Sequence, residues 1–270
     1  MKGVICATLL MAAVLTTGCE EDSPPAEVAA SNSLLECAVL DLMGDSTPVL
    51  RLAEPGACPG HFDVRPSQIS QLRDSRLLLR MDFQKSLDTK LSGLTGDGLT
   101  IAEVRLSGGL CEPDTYLSAC RQTADALVDA GLLDRATAET RLQTIAGRMD
   151  DLSARISEAT RALEGTPVVA SEHQELFCRW LGLDVVATYR GADVEVPRLL
   201  QQARDAAVDA GAAIVIANRP EGRKAADFLA DRIDGEVVVF DNFPMLGGRH
   251  DGFEDLVEDN VAKLLEVAKR

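Results

Sequence analysis

Histidine, aromatic residues and positive charge are all scarce in this 270-residue chain, and each scarcity narrows what the protein does. Only three histidines occur, at positions 61, 173 and 250, so no His-rich loop is present. Three also give no convincing Ser–His pair, and the chain lacks a nucleophile elbow, which argues against a hydrolase. Lys and Arg number 27 against 43 Asp and Glu, a formal charge of −16. A phosphate backbone demands a basic face, so nucleic acid is excluded as a partner. The longest apolar run, Val4 to Leu15, is about half of what a membrane-spanning helix needs. Gly108-Gly109 and Gly247-Gly248 lack the spacing of a phosphate cradle. Aromatics make up 4% of a chain that is 46% hydrophobic, enough for a real core, and one built mainly from aliphatic side chains.

What is present begins with the first nineteen residues. Lys2 is followed by the apolar run and then by Thr16-Thr17-Gly18-Cys19. This layout predicts a signal peptide over residues 1–18. Small residues ending at a Cys resemble a lipobox, which implies acylation of Cys19 and a periplasmic or cell-surface lipoprotein anchored to the membrane. Thr16 departs from the usual Leu of that signal. Residues 19–32 are acidic and rich in Pro, Ser and Ala, the composition of a flexible tether. With Cys6 and Cys19 set aside, Cys37, Cys58, Cys111, Cys120 and Cys178 remain in an oxidising compartment. Five is odd, so at least one has no partner within the chain.

Periodicity predicts strands at 27–31, 48–53, 77–81, 166–171, 184–189, 212–217 and 236–241. Helices are expected at 33–43, closed by Gly44, from Pro66-Ser67 onward with Ser67 capping, and at 116–130, 173–181, 196–210, 222–233 and 255–269. The clearest element runs over 137–163. Leu142, Ile145, Met149, Leu152, Ile156, Ala159 and Leu163 recur at alternate spacings of three and four, one apolar stripe on a helix of about 40 Å. Strands alternating with helices imply an α/β fold with parallel sheets flanked by helices. The expected organisation is an N-terminal lobe over 27–133, a backbone helix over 134–163 and a C-terminal lobe over 164–270.

Ligand sites in open α/β sheets lie at the carboxyl ends of strands. His61 and His173 each follow a predicted strand, in opposite lobes, and Asp241 ends the last strand. Two imidazoles and a carboxylate converging between lobes suit a transition metal.

Several segments in order resemble one family. Gly44-Asp45, the Leu52 to Gly56 turn, His61 and Pro66-Ser67 resemble the first metal-ligand region of the zinc- and manganese-specific solute-binding proteins of ABC importers. EPDTYLSA, residues 112–119, resembles the second region, where the family carries Asp-Pro-His. VVASEHQELFCRWLGL resembles the third, VVVFDNF the strand that delivers a final carboxylate, and FEDLVEDNVAKLLEVAK the closing helix, with Asn260 in it. The resemblance implies two α/β lobes on a helical backbone and an extracytoplasmic receptor that delivers a divalent Zn, Mn or Fe ion to an ABC permease. It also implies metal ligands at His61, Asp114, His173 and Asp241, with Glu112 and Glu172 as substitutes. Asp114 stands where the family carries its second histidine. The third region is about one residue short, which brings Glu172 or Ser171 nearer the expected ligand position. Two nitrogens with two carboxylates leave the metal open among Mn(II), Fe(II) and Zn(II).

Cys58 and Cys111 each lie three residues before one of these implied ligands, so ligands meeting at one ion would bring the two thiols together as a disulfide. Thiolate ligation, unrelated buried thiols and Cys120 as a competing partner remain open beside it. Two other functions stand against free-metal capture: a receptor for haem or a metal chelate, and an interaction lipoprotein of the same fold that binds no metal.

Overall fold

Inward and outward apolar residues alternate along the central strands, and that period of two builds the layers of the molecule. The computed structural model describes residues 25–54, 63–95, 98–191, 197–246 and 252–269. The signal segment, Cys19, Cys58, His61 and His250 lie outside them. Two parallel four-stranded sheets carry the chain. The first holds β1 (Val28–Ala30), β2 (Val49–Arg51), β3 (Leu77–Met81) and β4 (Thr100–Val104) in the order β2-β1-β3-β4. The second holds β5 (Pro167–Ser171), β6 (Asp184–Tyr189), β7 (Ile214–Asn218) and β8 (Glu236–Phe240) in the order β6-β5-β7-β8. Counted from its own first strand, each sheet reads 2-1-3-4, so the second half repeats the topology of the first.

Val28, Ala30, Leu77, Leu79 and Met81 of the first sheet share one core with Val168, Ala170, Ile214, Ile216, Val238 and Phe240 of the second. Between the sheets lie α1 (Ser33–Met43), α5 (Pro113–Asp129), α6 (Arg135–Thr160), α7 (Glu175–Trp180) and α10 (Phe253–Val267), all contributing to that core. The opposite sheet faces build separate outer layers. Ala29 and Leu78 pack with leucines of α2 (Pro66–Leu72), α3 (Ser86–Lys90) and α4 (Ser92–Thr95). Val169, Val215 and Ala217 pack against α8 (Pro197–Ala210) and α9 (Lys224–Ile233).

Local chemistry explains the helix ends. The Asn32 side chain accepts from the backbone N–H of Leu34 and Leu35 at 3.0 and 3.1 Å and so starts α1. Gly44, at φ +106°, ends it. At α2 the sequence expectation needs correcting: Arg65 is the N-cap, Pro66 is N1, and Gln68 closes the turn by accepting from the Arg65 N–H at 3.0 Å. Ser67 therefore lies inside the helix. Helix α5 begins three residues before the expected start, because Pro113 fits the first helical position. Strand β4 was not anticipated; it is a half-exposed edge strand with one buried residue, Val104.

Helix α6 is a spine of 26 residues, roughly 39 Å long. Ile145, Met149, Leu152 and Ile156 are buried as the stripe requires, but at the next turn Thr160 is buried and Ala159 exposed. The alternate three-and-four spacing drifts against a 3.6-residue helix, and the chain then turns through a 3-10 segment, Arg161–Leu163. Arg148 on this spine donates to Asp41 of α1 at 2.8 Å and, through two nitrogens, to Glu254 of α10 at 2.6 and 2.8 Å. Tyr116 of α5 stacks on Phe253 of α10 with centroids 4.1 Å apart and donates its hydroxyl to Asp41 at 2.6 Å. No helix of the described residues is long and apolar enough to cross a membrane.

Candidate functional site

The carboxyl ends of the two sheets are brought together by the start of α5. Cys111, the residue before its N-cap, donates its thiol to the Asp241 carbonyl at 3.1 Å. Gly109 lets the loop before α5 pass close to α7: a Cβ there would lie 3.1 Å from the Phe177 nitrogen and 2.8 Å from Glu112 Oε1. Burial pushes the Cys111 thiol far above its ordinary pKa, so it stands as a neutral donor. It is a free cysteine, and the partner proposed for it, Cys58, lies outside the described residues. Cys37, Cys120 and Cys178 are also free and buried.

Asp241 follows β8 directly. Asn260 of α10 fixes its peptide by accepting from its N–H at 2.9 Å and donating to its C=O at 2.8 Å. Both carboxylate oxygens are engaged by cations. Oδ1 accepts from Arg219 Nε, and Oδ2 lies 3.2 Å from Lys263 Nζ. The Asp241 side chain is only 9% exposed, whereas those of Arg219 and Lys263 are 49% and 37% exposed.

The third predicted region sits on a 3-10 turn after β5. Ser171 is buried, donates to Glu221 Oε2 at 2.5 Å and accepts from the His173 N–H at 3.3 Å. His173 is exposed, with Nε2 3.6 Å from Glu221 Oε1. Glu172 pairs with Arg190 at 2.6 Å, and this hydrogen bond holds its carboxyl below the usual range. Behind the turn, Gln174 donates to Asn218 and Asn242 at 3.2 and 2.9 Å. Its own Oε1 is buried with no hydrogen-bond partner among the described residues.

In the second region Glu112 is the half-buried N-cap of α5, folded under the Gly108-Gly109 loop, and Asp114 is exposed on the first turn. His61 lies outside the described residues. The structure thus gathers Cys111 and Asp241 at one junction and places His173 and Ser171 on Glu221. Among the described residues no three His, Cys, Asp or Glu side chains come together as a metal-holding group. Sequence reasoning missed Arg219, Glu221 and Lys263. Arg219 had a signal, since it follows β7 directly, where the strand-end rule directs attention.

The model of the periplasmic zinc-uptake complex component A family, ZnuA, matches residues 28–267. No curated protein matches in sequence. Among solved structures, the Mn-bound periplasmic metal-binding protein of Candidatus Liberibacter asiaticus superposes with a TM-score of 0.76 at 11% identity, covering 88% of this chain and 98% of that one. A ZnuA crystal structure superposes at 0.74 with 13% identity, covering 89% and 98%. A zinc-bound ZnuA deletion mutant gives 0.74 at 13%, covering 89% and 96%. At such identities the likeness is one of fold.

Proposed function

The chain belongs to the family of periplasmic zinc-uptake component A proteins, and on that premise we propose that it is the extracytoplasmic receptor that captures a divalent transition metal ion between two lobes and delivers it to an ABC permease. The family is one of transport receptors, and the chain is accordingly not an enzyme. The observation that carries the reading is the meeting of Cys111 with Asp241, which sets the first turn of α5 against the end of β8. On this reading Asp114, on that first turn, and Asp241 are the carboxylate ligands from opposite halves. We take His61 and His173 as the nitrogen donors, with Glu112 and Glu172 in reserve. Nitrogen and carboxylate donors together suit Zn(II), Mn(II) or Fe(II). Structural relatives bound to zinc and manganese favour the same range, and the charge of −16 draws cations to the surface.

The same proposal assigns residues 27–133 and 164–270 to the lobes and 134–163 to the backbone helix, with Cys19 as the lipid anchor. A second reading, a receptor for haem or an anionic metal chelate, is favoured by Arg219, a half-exposed cation at the junction. Metal content of the purified protein, with a His61→Ala variant beside it, decides between them. One equivalent of Zn, Mn or Fe that is lost in the variant is the expected result. Binding of a chelated metal without binding of the free ion would favour the second reading.

A further inference from the structure

The carboxylate that the receptor reading assigns to the metal already has a cation on each oxygen, and Arg219 is the more exposed of the two. Lys263 sits on α10, the helix that also supplies Asn260 to the Asp241 backbone. Arg219 begins the short 3-10 turn after β7, is half exposed, and among the described residues pairs with Asp241 alone. Its guanidinium can leave without disturbing the core, and Lys263, with a side chain 37% exposed, can stay on Oδ2 when it does.

We infer that Arg219 is a resident counter-cation at Asp241, which an incoming metal ion displaces, so that this residue sets the affinity of capture. The inference rests on the receptor reading. A carboxylate with this little exposure is costly to leave unpaired, and Arg219 and Lys263 together keep it paired, Lys263 alone once Arg219 has left. A dication brought up to the same oxygen is repelled by the guanidinium unless that group swings away. Capture is then an exchange of one cation for another, in which no buried negative charge stands uncompensated. The bond broken is the Arg219 Nε–H hydrogen bond to Oδ1, the bond formed is metal to Oδ1, and no proton or electron is transferred.

Zn(II) and Mn(II) affinities of the purified full-length protein and of Arg219→Gln, measured by equilibrium dialysis at low ionic strength, test this. The expected result is tighter binding by the variant, by about tenfold or more, equivalent to ~1.4 kcal/mol. Arg219→Lys, which keeps the charge, should tighten it much less. Binding by Arg219→Gln where the wild type takes up no ion would also support the inference, while removing free-metal capture from the wild type. Wild-type binding that Arg219→Gln leaves equal or weaker overturns the inference and spares the receptor reading. Binding by neither protein overturns both. If Arg219→Gln fails to fold, the wild type still decides: its Arg219 Nε–H resonance should shift and exchange faster with water on metal addition, and an unmoved resonance in metal-loaded protein overturns the inference.

Discussion

Asn260 grips the Asp241 peptide from both sides, so the direction of that carboxylate is set by α10 as much as by β8. Asn260→Ala removes both hydrogen bonds and strands buried polar groups, which should cost about 2–4 kcal/mol in a urea unfolding curve. A loss under ~0.5 kcal/mol would mean that packing of α10 alone holds the residue. Asp241 and Asn260 were legible in the sequence, one because it ends an apolar strand and the other because the closing helix resembles its family. Arg219 was not, although it occupies an equivalent strand end, because a search by ligand chemistry passes over a cation. His173 was legible as a residue type, but its environment was not. The short turn after β5 exposes the imidazole and buries Ser171 and Gln174 beside it. Which residues of a three-residue turn face inward depends on backbone angles that no periodicity encodes.

Spine helix α6 was the most legible element, since an apolar stripe sustained over many turns fits a helix and little else. Strand β4 was illegible for the opposite reason: five residues at a sheet edge, largely half exposed, carry a weak apolar pattern. The Arg148 clamp was equally hidden, because its partners lie more than a hundred residues away on α1 and α10. Arg148→Met should cost roughly 1–3 kcal/mol, discounted for the partial exposure of the pair. Its pH dependence is distinctive. Burial pushes Glu254 up, but pairing with Arg148 outweighs it and the carboxyl ends below its ordinary value of 4.5. A depressed carboxyl stabilises the fold at pH above its unfolded value, and that contribution is lost as pH falls through the folded one. Stability measured by urea unfolding should therefore fall below pH 4.5, and Arg148→Met should lose less over the same range. Parallel acid profiles would mean that Glu254 contributes nothing through the clamp.

Both sheets face one shared core, and the helices that join the halves are part of it, so the molecule is built to unfold as a unit. Receptors whose lobes are joined by flexible strands can open widely; here any closure must shear packed side chains of α1, α5, α6 and α10, which favours a small tilt. The single tryptophan, Trp180, packs against the core from α7 and reports the C-terminal half, while far-UV circular dichroism reports the whole chain. The two probes should give coincident thermal transitions. Non-coincidence would mean that the halves are separately stable and α6 merely connects them. On the receptor reading, free metal at about 100 times its Kd adds about 2.7 kcal/mol to folded stability, which for a chain of this size raises Tm by roughly 5–10 °C. Because the ion would bridge the halves, both probes should move together, and a shift confined to Trp180 would place the metal on one lobe alone.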